Sequence, residues 1–200
     1  FNNYLDTSYN ELNDDNTTNK LIEMVHLFYD FLERGVIPSQ ESSIKMIELI
    51  ANNINNRELR TTELSRIFRI IVSCMIKTPS ISFFNGYLRI LAKYGNFEES
   101  LSVLKLLLFT TNLDNLTLPF DNRPTPTVDT FFEMFNCLKI ATENGYYDQD
   151  YSAKKSEYVL KQMKNLKIGA PKELYTLVYQ ITGVAFWDQM SWHLRMHNRP

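Results

Sequence analysis

Lysine and arginine side chains at helical spacing are the residues of this chain best suited to bind a charged partner. Lys154, Lys161 and Lys164 follow one another at intervals of seven and three residues, which places them near one face of a helix. A second basic group lies earlier in the chain and comprises Arg66, Arg69, Arg89 and Lys93. Such groups bind phosphates, but a solvated outer helix face has the same spacing, and both interpretations stay open.

Charge is segregated along the chain, although the formal net charge is only −2. Residues 57–105 carry eight Lys/Arg and four Asp/Glu, a net of +4, and residues 154–172 carry six Lys and one Glu, a net of +5. Residues 1–50 and 106–153 are acidic, with nets of −6 and −5. A phosphate-binding surface therefore requires a fold that brings the basic segments to one face, and the negative total counts against nucleic-acid binding.

Residues that support catalysis or metal binding do not occur in a usable arrangement. No Ser, His and Asp residues have the spacing of nucleophilic catalysis, and Gly86 and Gly95 form no phosphate-binding loop. His193 and His197 stand four residues apart and could reach one metal ion from a single helical turn. No glutamate follows His193 as metalloprotease chemistry requires, and no further ligand cluster is evident. We therefore predict that the chain is not an enzyme and holds no metal and no cofactor.

The composition is that of an ordinary globular protein with few turns. The apolar fraction is 44% and the charged fraction 22%, and Gly and Pro are scarce, at 6 and 7 residues. No run of eighteen uncharged apolar residues occurs, so we expect no membrane span. Cys74 and Cys137 have no CxxC partner and lie in apolar helical patterns, which favours packed, reduced thiols in an intracellular setting. His26 lies among apolar residues and is predicted to pack in the core.

Apolar residues recur with the period of a helix along most of the chain. Glycines such as Gly35 and Gly95 end these stretches, and prolines bar their continuation. The pattern predicts helices near residues 20–34, 39–51, 61–77, 80–94, 97–110, 128–143 and 150–165, with another starting near Lys172. Residues 111–127 contain three prolines and are predicted to form an irregular connector. The tail, Trp187 to Pro200, is compatible with a helix of undefined bounds.

The predicted helices form pairs that recur along the sequence. A break with a proline precedes the first helix of each pair, and the breaks stand at Pro38, Pro79, Pro126 and Pro171, at intervals of 41, 47 and 45 residues. A hairpin of this size cannot bury its apolar face alone, whereas stacked neighbours form one continuous core. We therefore predict an all-α protein of stacked helix-turn-helix repeats, with residues 1–200 as part of one helical-repeat domain. Because the chain begins at Phe1 rather than Met, we expect a fragment of a longer protein.

One of these units resembles a pentatricopeptide repeat. From Ile81 to Leu104 the residues follow that family's pattern, V-V-T-Y-N-x-L-I-x-x-L-x-K-x-G-x-L-E-E-A-L-x-L-F, nearly position by position. The family's closing G-I-K-P-D is echoed at 35–39 and, more faintly, at 166–171, and two further units match only in hydrophobic outline. The resemblance, to divergent fungal mitochondrial RNA-binding members, implies a right-handed α-solenoid with insertions mainly at 52–63 and 111–126. An unrelated array of helical hairpins, such as a tetratricopeptide or HEAT-like solenoid, is the alternative.

The resemblance implies that the chain reads single-stranded RNA, about one base per repeat. In the family, the fifth residue of each first helix hydrogen-bonds a base edge, and the second residue sandwiches the base. The fifth residues are here Ile44, Asn85, Phe132 and either Tyr175 or Thr176, and the second residues are Glu41, Ser82 and Asp129. Asn85 offers an amide donor and acceptor, whereas Ile44 cannot bond a base and Phe132 can only stack on one. The predicted RNA-binding residues are Ser82, Asn85, Arg89, Lys93, Phe132, Lys154, Lys161, Lys164 and Thr176.

The resemblance also implies a compartment and partners. It places the protein in the mitochondrial matrix, with mitochondrial transcripts as ligands and the mitochondrial ribosome or other RNA-processing proteins as further partners. The expected role is in RNA stability, RNA processing or translation, without catalysis. The alternative is a protein–protein scaffold, for example an adaptor associated with a ribosome or another complex. Its anchors would be the aromatic residues Tyr146, Tyr147, Tyr151, Trp187 and Trp192.

Overall fold

Helices provide all of the regular secondary structure in the part of the chain that the structure describes. A computed structural model of the chain describes residues 17–36, 38–75, 77–108 and 123–183. These residues contain eight helices: α1 (Thr17–Glu33), α2 (Gln40–Asn53), α3 (Arg57–Cys74), α4 (Ile81–Lys93), α5 (Phe97–Leu108), α6 (Val128–Glu143), α7 (Gln149–Asn165) and α8 (Lys172–Thr182). The all-α prediction is therefore confirmed for the described residues. None of these helices combines the length and apolar character that crossing a membrane requires.

The largest difference between the predicted and observed helices is at α3. This helix begins at Arg57 rather than Thr61 and ends at Cys74 rather than Lys77. Asn56 is its N-cap residue, and the Asn56 Oδ1 accepts a hydrogen bond from the backbone amide of Leu59 at 2.9 Å. Residues 57–60, within the insertion predicted at 52–63, therefore form an added turn of helix. Most of the predicted connector and the whole tail, Trp187 to Pro200, lie outside the described residues.

Prolines stand at the start of α2, α4, α6 and α8, as the predicted breaks require. Pro38, Pro79 and Pro126 directly precede the N-cap residue, and Pro171 is itself the N-cap residue of α8. At α2 and α4 the N-cap serine hydroxyl accepts a hydrogen bond from the backbone amide three residues on, at 3.1 and 3.2 Å. The fixed φ of proline and the serine cap together end the preceding segment and begin a helix.

The hydroxyls at two of these helix starts also contact the preceding even-numbered helix. Ser80 donates from Oγ to Gln40 Oε1 of α2 at 2.6 Å, and its backbone amide donates to the same oxygen at 3.1 Å. Thr130, in the first turn of α6, donates from Oγ1 to Asn85 Oδ1 of α4 at 2.8 Å. Side chains one repeat interval apart therefore join the N-terminal turns of neighbouring helices.

The eight helices pack in an alternating pattern. α2, α4, α6 and α8 form one row, here called the even row, in which each helix packs against the next. α3, α5 and α7 each pack against the helix that precedes them, α5 and α7 also pack against the helix that follows, and α1 packs against α2. We call α1, α3, α5 and α7 the odd helices. Each even helix thus lies in contact with at least one odd helix and with its even neighbours.

The core lies between the even row and the odd helices. Phe68 of α3 stacks on Tyr87 of α4 with ring centroids 4.0 Å apart, and both residues are buried. Cys137 of α6 is buried as predicted, and its thiol donates to the Leu91 carbonyl oxygen at 3.4 Å. Burial raises the pKa of this thiol far above its usual range, so it remains protonated. Cys74 is half-buried.

The prediction that His26 packs in the core is wrong. Its side chain is exposed, whereas Phe28, two residues on, is 1% exposed. Residues two apart on a helix point to nearly opposite sides, so α1 cannot bury both. The apolar neighbours of His26 in the sequence therefore did not share its face.

Candidate nucleic-acid interface

The fifth residues of the even-row helices occupy one register. Counted from the first helical residue, Ile44, Asn85, Phe132 and Thr176 are the fifth residues of α2, α4, α6 and α8. Thr176 is exposed whereas Tyr175 is buried, so of the two residues considered for α8 only Thr176 reaches the surface. The second residues, Glu41, Ser82 and Asp129, are all exposed. The positions that the repeat pattern singles out thus recur at matching places along four neighbouring helices.

Neighbouring fifth positions lie at close helix–helix contacts. A Cβ atom on Gly86 would lie 3.2 Å from the Ile44 side chain, so α2 and α4 approach each other beside Asn85. On the other side of α4, Asn85 Oδ1 accepts from Thr130, and Asn85 Nδ2 donates to Thr127 Oγ1 at 3.4 Å. Both polar groups of Asn85 therefore have partners within the chain. A base edge would have to share Oδ1 or replace the long bond to Thr127.

The two cations of α4 face the neighbouring helices of the even row. Arg89 Nε lies 2.9 Å from Glu133 Oε1 of α6, and the side chains are 72% and 15% exposed, respectively. Lys93 Nζ donates to Asn52 Oδ1 at 2.8 Å and lies 4.0 Å from Glu48 Oε1. Both cations are accessible to solvent, but each is held by side chains that lie one repeat interval away.

Acidic and basic side chains nearly balance along the even row. α4 carries two cations and no carboxylate, whereas α2 and α6 carry nets of −1 and −2, and α8 is neutral. Four of these residues form intrahelical pairs at i,i+4, Lys45 with Glu41 and Lys139 with Glu143. Within the row, only α4 therefore carries a net positive charge, and the helix on each side of it carries a net negative charge.

The lysines of the second basic segment lie on an odd helix. Lys154, Lys161 and Lys164 are exposed on α7, whose buried residues are Ser152, Ser156, Val159, Leu160 and Met163. Arg66 lies on α3 and pairs with Glu63 at 2.6 Å. The structure therefore brings the α7 lysines to one helix face, as the spacing predicts, but does not bring them together with Arg89 and Lys93.

Three of the five predicted scaffold anchors form a cluster at the turn between α6 and α7. The rings of Tyr147 and Tyr151 stack with centroids 4.3 Å apart, and the guanidinium of Arg57 lies 3.6 Å from the ring centroid of Tyr146. Tyr151 also donates its hydroxyl to Glu98 of α5. Burial raises the pKa of Tyr147, and the Glu98 carboxylate adds to the rise. Trp187 and Trp192 lie outside the described residues.

A similar contact holds the turn between α4 and α5. The hydroxyl of Tyr94 donates to Asn52 Oδ1 at 2.6 Å, and the guanidinium of Arg60 lies 4.1 Å from its ring centroid. Burial raises the pKa of Tyr94, which keeps this hydroxyl protonated as a donor. Asn52 therefore joins two residues of the following unit, Lys93 and Tyr94.

The predicted site lacks the partners of the α4 cations, which are Asn52, Glu48 and Glu133. A signal for them was present, because Lys93 follows Asn52 by 41 residues and Glu133 follows Arg89 by 44, the same range as the repeat interval. Polar and charged residues that stand one such interval apart in the sequence are therefore candidates for these pairs. The repeat interval therefore predicts cross-helix partners as well as helix starts.

Comparison with known proteins adds no further identification. No protein-family model, no curated protein and no solved structure matches the chain. Among the described residues there is no group of three or more His, Cys, Asp or Glu side chains that could hold a metal ion. His193 and His197 lie outside that part of the chain.

Proposed function

We propose that this chain is part of a right-handed α-solenoid that binds single-stranded RNA along the even row, without catalysis. The observation that carries the proposal is the shared register of Ile44, Asn85, Phe132 and Thr176, which recur at intervals of 41, 47 and 44 residues on helices that pack side by side. Helical-repeat proteins that read RNA do so from equivalent positions of successive repeats. The resemblance of residues 81–104 to a pentatricopeptide repeat supports the same function.

The side chains of the row have distinct roles in this proposal. Phe132 stacks on a base, Asn85 and Thr176 offer hydrogen bonds, and Ser82 contacts the sugar or base beside Asn85. Arg89 and Lys93 bind phosphates. The exposed lysines of α7 lie on an odd helix, so they contact only RNA that extends beyond the even row.

The compartment and the biological role follow from the family resemblance. We propose that the ligand is a mitochondrial transcript and that binding in the matrix protects it, guides its processing or supports its translation. The mitochondrial ribosome and other RNA-processing proteins are the proposed partners. The function consists of holding RNA, with no bond chemistry assigned to the chain.

A salt series with charge variants tests this proposal. We would measure fluorescence anisotropy of a labelled, single-stranded, A/U-rich RNA with the chain at several salt concentrations. Loss of two phosphate contacts in the double variant Arg89→Gln/Lys93→Gln should reduce the slope of log K against log salt by about 1.4, since each contact to a single strand contributes about 0.7. The double variant Lys154→Gln/Lys161→Gln removes the same charge from α7. If it reduces the slope more than Arg89→Gln/Lys93→Gln does, the RNA-binding surface lies on α7 rather than on the even row.

A protein–protein scaffold is the second candidate, and two observations favour it. First, the even row is close to neutral. Second, tyrosine and arginine side chains cluster around Tyr146 and Arg57, and both residue types are enriched at protein interfaces. No RNA binding at the lowest salt concentration would favour this candidate over the first. Partner binding by a scaffold should then fall in Tyr146→Ala and should change little with salt.

A further inference from the structure

We infer that the carboxylates of Glu133 and Glu48 compete with RNA for the cations of α4 and so limit how tightly this chain binds RNA. The inference rests on the proposed function, because it concerns the same surface. Its basis is the placement of the only two charged residues of α4 between helices that carry carboxylates.

The pair of Arg89 and Glu133 has an inner and an outer member. Glu133 is 15% exposed and Arg89 is 72% exposed, with Nε and Oε1 at 2.9 Å. A phosphate approaching from solvent therefore meets the guanidinium first and the carboxylate directly behind it. Because Glu133 is partly shielded from water, its negative charge is screened less than that of a fully exposed carboxylate. A phosphate that binds Arg89 must tolerate this charge or displace it.

Lys93 also lies near a carboxylate, but this carboxylate is farther away than the one beside Arg89. Its Nζ lies 2.8 Å from the neutral oxygen of Asn52 and 4.0 Å from Glu48 Oε1. The uncharged Asn52 can remain in place while the ammonium group turns toward a phosphate. We therefore expect Glu48 to compete less strongly than Glu133.

The size of the competition follows from Coulomb's law. Two opposite unit charges about 4 Å apart in water attract by about 1 kcal/mol, and a phosphate that replaces the carboxylate at Arg89 must overcome this attraction, which corresponds to about a fivefold change in Kd. Removing the charge of Glu133 should therefore lower the Kd for RNA about fivefold at an ionic strength near 0.15 M. Removing that of Glu48 should lower it by a smaller factor.

Glu133→Gln is the variant that tests this inference. Glutamine keeps an oxygen that can accept from Arg89 Nε, so the contact between α4 and α6 is retained, which thermal unfolding would verify. Glu58→Gln is the matched control, because it removes one negative charge from an exposed position of α3, outside the even row and away from the α7 lysines. With the A/U-rich RNA, we expect about fivefold tighter binding for Glu133→Gln and less than about twofold for Glu58→Gln.

The double variant Arg89→Gln/Glu133→Gln tests whether Glu133 acts through Arg89. If the carboxylate acts through Arg89, the gain from Glu133→Gln should disappear when Arg89 is already neutral. Equal effects of Glu133→Gln and Glu58→Gln, or a gain that persists without Arg89, would overturn the inference while leaving RNA binding intact. Absence of RNA binding by the wild-type chain and by every variant would instead overturn the proposed function, and the inference with it.

Discussion

Alanine in place of Gly95 would place a methyl group in the contact between α4 and α6. Gly95 follows α4 with φ +66°, and its amide donates to the Ala92 carbonyl at 3.1 Å. A Cβ atom at this position would lie 3.0 Å from the backbone N and Cα of Ala141 in α6. Alanine therefore meets two separate penalties, a left-handed backbone conformation and a clash with backbone that cannot turn aside.

Gly145 offers a matched control for the first of these penalties. It follows α6 with φ +71°, its amide makes the equivalent bond to Thr142 at 2.9 Å, and an added Cβ would meet nothing within 4 Å. Gly145→Ala should therefore lower the free energy of unfolding by about 1–2 kcal/mol, the backbone penalty alone. Gly95→Ala should lose about 1–3 kcal/mol more, because it overpacks the helix contact.

Urea unfolding followed by far-ultraviolet circular dichroism would measure the difference between the two variants. For a chain of this size each kcal/mol corresponds to about 2–4 °C in Tm, so thermal melting gives an independent reading. If α4 and α6 pack as closely as observed, Gly95→Ala should lower the free energy of unfolding more than Gly145→Ala does. Equal losses in the two variants would refute the close approach of α4 to α6, and with it the packing on which the proposed solenoid depends.

Two further predictions concern buried groups. Leu91→Asp should lower the free energy of unfolding by more than about 3 kcal/mol, because Leu91 is fully buried and the new carboxylate would have no counter-ion. Leu59 is 53% exposed, so the control Leu59→Asp should change the free energy of unfolding by less than about 0.5 kcal/mol. Burial, with the nearby Glu99 carboxylate, raises the pKa of Tyr87 well above its usual value of 10.0. The folded chain then keeps this proton while the unfolded chain releases it, so stability should fall as the pH rises above about 10 and be unaffected below it. Urea midpoints at about pH 8 and about pH 11 should differ less in Tyr87→Phe than in the wild type, and an unchanged difference would show that Tyr87 does not contribute.

The helical architecture was largely predictable because its signals are local. The prolines at helix starts and the apolar period gave the predicted bounds of α6, residues 128–143, as observed. The predicted start of α3, at Thr61, overlooks Asn56, although asparagine is a strong N-cap residue. His26 was misplaced because neighbours in the sequence lie on different faces of a helix.

The candidate interface was less predictable because its chemistry depends on contacts between units. The pattern identified Asn85 as a polar residue of the row, but not that Thr127 and Thr130 already bond its amide. Likewise Arg89 and Lys93 were recognised as cations, while their carboxylate partners lie more than 40 residues away along the chain. Such contacts follow from the interval between units, which varies with the length of the connectors.

The hydroxyl groups at the starts of the even helices have a consequence for how the chain unfolds. Ser80 caps α4 and, through the same oxygen, bonds Gln40 of α2, while Thr130 bonds both the first turn of its own helix and Asn85 of α4. Fraying of one helix start therefore also weakens the hydrogen bonds that connect it to the neighbouring even helix. Local opening is in this way transmitted from one even helix to the next, which favours cooperative unfolding of the row.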